Sequence, residues 1–287
     1  MLVYKSLKRE GLCMEKLLKD LFSDKKVVVI TGAGISTLSG IRPFRGNNGL
    51  YTEKNEKYDK EPMYYLSRPC LDMEPDVFYE FYKENMMLGD YEPNIVHNVL
   101  SELEKRGLIE GIITQNIDRL HQDAGSENVI DIHGNGTRFY CTVCGEEYTA
   151  DEYKESCTCH KCGELVRPDI VLYGEGYAKG RIEKCYELIN KADVVLVLGT
   201  SLTVSTATGL LNQFIKINEI LPKRFYLLEH GLKKTNYSVY IVNAEETPYD
   251  QYGERYEDLK EVFERIQEEL DNRKEDLPKV KVKNEEE

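Results

Sequence analysis

The chain has no apolar run that reaches the about 18 residues needed to cross a membrane as a helix. Its first residues also lack a hydrophobic signal region followed by small side chains, so a cytoplasmic protein without a membrane anchor is expected. Basic residues are scarce: 38 Lys and Arg stand against 51 Asp and Glu, a formal charge of −13. That balance repels phosphate backbones and anionic membranes, excludes direct nucleic-acid binding as an expectation, and suits a basic peptide partner. Cysteine is scarce too. Eight in 287 residues are too few for a disulfide scaffold, and four of them fall into two C-x-x-C pairs, a pattern that in a reducing compartment favours metal over disulfide. One further absence is local: in "VVVITGAGISTLSGIRPFRG" (Val27 to Gly46), Gly32 and Gly34 fit the dinucleotide pattern G-x-G-x-x-G, but Thr37 stands at the third glycine.

What is present suggests alternation. Short β-branched runs recur at Val27 to Thr31, Gly111 to Gln115, Val129 to Ile132, Val194 to Gly199, Arg224 to Glu229 and Val239 to Val242. Several are apolar throughout, as strands buried on both faces of a parallel sheet are. Helical patterns lie between them, notably Asn94 to Lys105, Arg181 to Lys191 and Thr206 to Glu219, which predicts a doubly wound α/β fold. Two stretches break the alternation, 47–93 with helical patches such as Asp76 to Met87, and 137–170 with the paired cysteines. Both read as insertions that form a smaller helical and zinc-binding module beside the domain built from 14–46, 94–136 and 171–270. From about Asp271 to the end at 287 the chain is dominated by charge and reads as a solvated, disordered tail. Arg9-Glu10-Gly11 can be encoded by a purine-rich, ribosome-binding-like run, so translation is expected to start at Met14.

The cysteine pattern is the most specific chemical signal. Cys141 and Cys144, 14 intervening residues, then Cys159 and Cys162 form two knuckles that together make a closed tetrahedral site of four thiolates. A redox C-x-x-C would not need the second pair. Cys159 is preferred to Cys157 because only Cys159 completes C-x-x-C with Cys162, and Cys13, Cys70 and Cys185 read as packing or incidental residues.

Four other segments carry polar groups to the ends of expected strands. "TGAGIS" offers backbone N–H groups to a pyrophosphate at a strand-to-helix turn, although G-x-G alone is equally a tight turn. "LGTSL" (Leu198 to Leu202) offers the hydroxyls of Thr200 and Ser201, or a helix N-cap. "TQNIDRLH" brings Gln115, Asn116 and Asp118 together, suited to an amide or a ribose and equally to capping the next helix. "VIDIHGN" ends in His133, a histidine that would share the sheet edge with those groups and could act as a base near neutral pH. His97 and His121 lie in helical patterns and His230 near a loop, none in a comparable setting.

In order, "GAGIS", "SGI", "FRG", "TQNID", "HG", the two C-x-x-C pairs, "RPDIVLYGE", "GTSL" and "VN" with "TP" resemble the sirtuin family of NAD-dependent protein-lysine deacylases, over about Val27 to Asp250. The resemblance implies a mostly parallel Rossmann-like sheet in which the segment after the first glycines is a flexible cofactor loop. It implies NAD contacts at Ala33, Gly34, Phe44 and Arg45, with Phe44 over the nicotinamide ribose. Gln115 would hold that ribose, Asn116 and Asp118 would order the nicotinamide pocket, and Gly199, Thr200, Ser201 and Asn243 would line the phosphate and adenosine side. His133 would be the general base. The acyl oxygen of an acyl-lysine would attack the ribose carbon as nicotinamide leaves, and His133 would activate a ribose hydroxyl against the resulting imidate. Lysine, nicotinamide and O-acyl-ADP-ribose would be the products, and zinc would be structural. The acyl-lysine peptide would add as a strand between "VLYGE" and the segment after "GTSL", its side chain in a tunnel of Val171, Tyr173 and Val204.

The sequence also departs from that family. Arg42-Pro43 stands where Pro-Asp is usual, Ser205 and Thr206 replace smaller residues or proline, and "ERYEDLKEVFERI" reads as a charged helix without the expected strand and glycine turn over the adenine. Tyr82 is followed by Asn85 instead of the arginine that pairs with acidic acyl groups, so a neutral acyl group, acetyl first, is expected. Mono-ADP-ribosyl transfer or NAD hydrolysis in the same pocket is the alternative chemistry, and a non-enzymatic NAD-sensing or peptide-binding module is the third reading.

Overall fold

The computed structural model describes residues 14–44, 49–50, 57–87, 89–220 and 237–278. Cys13 and the segment before Met14, the run Arg224 to Glu229, His230 and Arg45 lie outside the described residues.

Among the described residues six strands form one sheet: β1 (Val27–Thr31), β2 (Gly111–Thr114), β3 (Val129–Asp131), β7 (Val194–Leu198), β8 (Ser238–Val242) and β9 (Glu254–Tyr256). Their order is β3-β2-β1-β7-β8-β9, and every pairing is parallel. This is the doubly wound order that reverses beside the first strand. Side chains of β1 alternate between two cores: Val27 and Val29 join one, Val28 and Ile30 the other. β7 and β8 divide the same way, which is why these strands read as continuous apolar runs. Helices α1 (14–21), α5 (Ile95–Lys105) and α10 (Leu259–Asn272) cover the first face, and α8 (Arg181–Ile189) and α9 (Ser205–Ile215) the second.

A third core gathers the residues that broke the alternation. Helices α2 (Pro62–Tyr65), α3 (Arg68–Met73), α4 (Pro75–Asn85) and α7 (Ala150–Glu155) pack with an antiparallel sheet of β5 (Glu147–Tyr148), β4 (Gly134–Cys141) and β6 (Val166–Ile170). These three strands have no counterpart among the expected ones. β4 shifts register against β6 between Asn135 and Phe139, and its burial does not alternate regularly, so its sequence carries no clean period of two.

Two further expectations are corrected. The strand thought absent after "TPYD" is there: β9 pairs with β8, and the extended Gly253 before it packs so closely that a Cβ would lie 2.3 Å from the Val239 carbonyl oxygen, but no glycine turn follows β9. β9 escaped reading as a strand because its three residues are half-buried at a sheet edge and two are charged. The helix begins only after Asp258, whose carboxylate accepts from the N–H groups of Lys260 and Glu261. Of the tail expected from Asp271, residues up to 278 are described and pack on the fold, and 279–287 lie outside the described residues. α10 runs to Asn272, Leu277 packs on the first core, and Arg106 donates to the Pro278 carbonyl. The expected helix from Thr206 is α9 followed by a π-helical turn, Lys216–Ile220.

Candidate active site

The sheet order reverses between β1 and β7, and ligands of open α/β sheets sit beyond the carboxyl ends of strands at such a point. Here the turns after the two strands touch backbone to backbone. Gly32 N–H donates to Leu198 O (3.0 Å) and Gly34 N–H to Gly199 O (2.8 Å). A Cβ at Gly34 would lie 2.7 Å from Gly199 Cα, and one at Gly199, where φ is +58°, would lie 2.5 Å from Ile35 N. Close approach of the two turns therefore demands these glycines. The third glycine is dispensable because Ala33–Ser39 is a 3₁₀ helix, in which the Thr37 hydroxyl donates to Gly34 O at 2.8 Å. In the β7 turn Leu202 adopts φ +51° with its side chain buried, a strained backbone of the kind that concentrates at functional sites.

A cleft of about 820 Å³ opens over this junction. It brings together Ala33, Gly34, Phe44, Gln115, Asn116, His133, Gly199, Thr200, Ser201 and Asn243, and also Val171, Tyr173 and Val204. Gln115 bridges the reversal, its amide donating to Thr31 O (3.3 Å) and Thr200 Oγ1 (3.1 Å). Phe44 packs against the third core as well as lining the cleft. The Asn243 carbonyl accepts from the Arg255 guanidinium, and Asn243 donates its own N–H to Tyr256 O, so β9 supports it.

Asp118 is not part of the lining. It stands one layer behind, where its carboxylate accepts from Ser36 Oγ (2.6 Å) and from Leu120 N–H (3.0 Å), and Ser36 in turn accepts from Asn116 Nδ2 (3.0 Å). This chain fixes the Asn116 amide. Burial pushes the Asp118 carboxyl up from the ordinary range, against the pull of the Ser36 hydroxyl and the Leu120 N–H. Ser36 was missed in the sequence, although its place in "GAGIS" was the available signal.

His133 is half-buried at the start of the turn into β4, with Nδ1 2.9 Å from Gln115 O. A carbonyl can only accept, so Nδ1 carries the proton and Nε2 the lone pair. Burial lowers the His133 pKa, the Gln115 carbonyl raises it, and the Arg181 charge lowers it again, leaving the ring below its usual value. The Tyr177 ring stacks on it at 6.1 Å and 21°, and the Tyr177 hydroxyl bonds Thr206 at the start of α9. The loop between is tied by Arg167, whose buried guanidinium meets both Glu175 oxygens at 2.5 and 3.0 Å while Glu175 accepts from Leu172 N–H at 2.9 Å. Neither Tyr177 nor the Arg167–Glu175 pair was read as functional; the spacing of Arg167 and Glu175 in "RPDIVLYGE" gives no hint that the chain turns back on itself.

On the acyl side, Tyr82 is wholly buried in the third core with its hydroxyl 3.3 Å from Gly136 O, and Asn85 bonds Phe81 O within its own helix. Neither lines the cleft; Met86 does.

The Sγ atoms of Cys141, Cys144, Cys159 and Cys162 all lie within 4.8 Å of one another. Cys141 and Cys162 are 3.4 Å apart and Cys144 and Cys159 3.6 Å, close to the about 3.8 Å edge of a tetrahedron of 2.3 Å zinc–sulfur bonds. Burial raises the Cys159 thiol, but the Tyr148 hydroxyl at 3.0 Å and nearby N–H groups outweigh it and bring it to about 6. The donor set fits zinc, with four ligands and no open position. Cys157 is outside the cluster, and Cys70 and Cys185 are buried packing residues. Among the described residues no helix is long and apolar enough to cross a membrane.

A model of the Sir2 family matches residues 32–206. An NAD-dependent protein deacetylase of Staphylococcus epidermidis is 38% identical over 254 residues, 87% of this chain and 95% of that protein. A Sir2 variant solved with a deacetylated p53 peptide and 3'-O-acetyl ADP ribose is similar at a TM-score of 0.74 and 35% identity, covering 90% of this chain and 98% of that one. A Sir2 structure bound to a propionylated peptide matches at 0.70 and 32%, with 90% and 98% covered. A match that runs from the first cleft glycine through Thr206, at this identity and coverage, means that the chain belongs to the Sir2 family.

Proposed function

We infer that this protein is an NAD-dependent protein-lysine deacetylase that yields free lysine, nicotinamide and O-acetyl-ADP-ribose. The carrying observation is His133 in the wall of the switch-point cleft, with Nδ1 committed to a carbonyl and Nε2 left to take a proton. When bound, NAD supplies the nicotinamide leaving group and the ribose carbon that receives the acyl oxygen. The chain's own residues do the rest. Gly34, Gly199, Thr200, Ser201 and Asn243 form the phosphate and adenosine side, and Gln115 the ribose side. The amide of Asn116, held through Ser36 by Asp118, orders the nicotinamide side, with Ala33 and Phe44 excluding water there. Nε2 of His133 removes a proton from the ribose hydroxyl. Val171, Tyr173 and Val204 take the lysine stem, and Met86 gives the acyl end an apolar wall, which favours acetyl over acidic groups.

Zinc, held by Cys141, Cys144, Cys159 and Cys162, supports the small module and takes no part in the chemistry. We assign 14–46, 94–136 and 171–270 to the NAD-binding unit and 47–93 with 137–170 to the smaller one, on the separation of the first two cores from the third. A cytoplasmic location without direct nucleic-acid binding is part of this reading, supported by the charge of −13 and the thiol-rich metal site.

Mass spectrometry of an acetyl-lysine peptide incubated with the protein and NAD tests it, with His133→Ala as control. Equal amounts of deacetylated peptide, nicotinamide and O-acetyl-ADP-ribose are expected, all lost in the control. Nicotinamide release without deacetylation would move the reading to ADP-ribosyl transfer or NAD hydrolysis.

A further inference from the structure

A second cavity, of about 620 Å³, lies between β3 and α8, outside the catalytic cleft. In a protein of net charge −13 it is cationic: Arg138, Lys179, Arg181, Lys184 and Lys191 line it against two carboxylates, Asp131 and Glu187. Arg138 is paired with Asp169 at 2.5 Å, and the Asp131 carboxylate is held by Gln122 Nε2 at 2.9 and 3.0 Å. The remaining four cations make no side-chain hydrogen bond or ion pair among the described residues, although Arg181 is half-buried. Its charge acts on the Asp131 carboxylate without a direct hydrogen bond, so the donors of its guanidinium remain available.

The floor of the cavity is a sheet edge. Among the described residues β3 bonds β2 alone, and its three residues are half-buried where β1, β2, β7 and β8 are wholly buried. Ile112 N–H donates to Asn128 O and Ile132 N–H to Thr114 O, so the peptide groups of alternate residues face β2. The N–H and C=O of Val129 and Asp131 therefore point outward, and both residues line the cavity. Lysines along an edge keep identical edges of two copies apart. The same charges attract a strand of opposite sign.

We propose that the outer edge of β3 binds an extended acidic peptide segment as an added strand, its main chain bonding Val129 and Asp131 and its carboxylates meeting Arg181, Lys184 and Lys191. The site is separate from the NAD cleft, but Tyr177 lines the cleft and Ala178 to Arg181 line the cavity, so one short run of chain joins them. The proposal stands independently of the deacetylase reading, since it concerns binding alone.

The test is fluorescence anisotropy of the full chain with a short labelled peptide that alternates Glu with Val or Thr and contains no acyl-lysine. Saturable binding is expected that weakens as salt rises and is indifferent to NAD. Lys184→Glu with Lys191→Glu should weaken it about tenfold, circular dichroism verifying that the variant is folded. Prolines at alternate peptide positions should weaken it about fivefold at unchanged charge, because they remove main-chain donors. Equal affinity for the proline peptide, indifference to the double reversal, absence of saturable binding, or displacement of the peptide by equimolar inorganic pyrophosphate would each overturn the proposal, the last in favour of a small-anion site.

Discussion

The two halves of this molecule hold themselves together in different ways. The six-stranded sheet hides apolar side chains on both faces, and its central strands are wholly buried along their length. The small module has a two-residue strand, a strand whose register slips, and an aromatic core in which Phe139 stacks on Tyr153 at 4.4 Å and Tyr65 on Phe81 at 4.9 Å. Its cysteine cluster straddles the rim of that core, with Cys141 and Cys159 buried in it and Cys144 and Cys162 exposed. Burial of strands suffices for the first region. The second joins its two knuckles through thiolates, and metal coordination there is folding energy.

Removing the zinc is the strongest way to break the comparison. Structural zinc contributes on the order of 10 kcal/mol at neutral pH, so a chelator should strip amide-exchange protection from β4, β5, β6 and α7. Protection in β1, β7 and β8 should survive. Simultaneous loss in both sheets would mean that the two regions fold as one unit and that the contrast is wrong.

Glycines sharpen it further. Gly34→Ala should cost about 3 kcal/mol, because the new Cβ meets Gly199 backbone at 2.7 Å and no side chain can give way. At the zinc knuckle Gly145 has φ +72° and nothing within 4 Å, so Gly145→Ala should cost only about 1 kcal/mol of backbone strain. Denaturant midpoints of the two variants decide the point. Equal losses would remove the distinction between a crowded glycine and a merely left-handed one.

The same contrast governs what could be read from the sequence. β1, β7 and β8 were legible because burial on both faces writes itself as runs dominated by Val, Ile and Leu, interrupted only by Thr31, Ser238 and Tyr240. The four zinc ligands were legible because a knuckle fixes their spacing. β4 and β6 were not: the slip between Asn135 and Phe139 erases their period, and Pro168 stands within β6. β9 was misread as helix for want of apolar residues. At the cleft, most of the residues carried on ordered motifs come together, Asp118 standing behind the lining, and contacts that act across the fold left no mark in the sequence. Ser36 reaches Asp118 82 positions away, and Tyr177 reaches both His133 and Thr206. Such pairings arise only when separate loops converge.

Acid probes the larger region in particular. His97 and His121 face each other at 5.0 Å beneath β1, where His121 Nε2 lies 3.0 Å from Thr31 Oγ1. Burial holds their pKa values down, to about 4 for His97 and about 3 for His121, against 6.5 when exposed. Their contribution is complete above pH 6.5 and is lost as pH falls toward 4, because the unfolded chain takes up the protons first. About 2 kcal/mol should disappear between pH 6.5 and about 5 from His97 alone. His97→Gln should flatten that slope while retaining the helix cap, since His97 accepts from the Asn94 N–H at a position where Gln serves equally. Urea midpoints across this range check it, and an unchanged slope in the variant would show that His97 is not responsible.

The smallest effects are expected at two neighbours of His133, which stands where the regions meet: Ile132 before it lies in the second core, and a Cβ at Gly134 after it would lie 2.2 Å from Asp169 O of β6. Tyr177→Phe retains the ring over His133 but releases Thr206, so kcat should fall about fivefold, the worth of one hydrogen bond, without a shift in the pH profile. Arg181→Gln should do the reverse. Burial remains the main reason that the His133 pKa is low, but the Arg181 charge adds to it, so its removal raises the pKa. A base must be neutral to work, and the acid limb of kcat/KM should therefore move to higher pH while the rate at pH 8 stays the same. A profile moved by Tyr177→Phe and left alone by Arg181→Gln would reverse the assignment, making the tyrosine the electrostatic neighbour and the arginine a bystander of the seam.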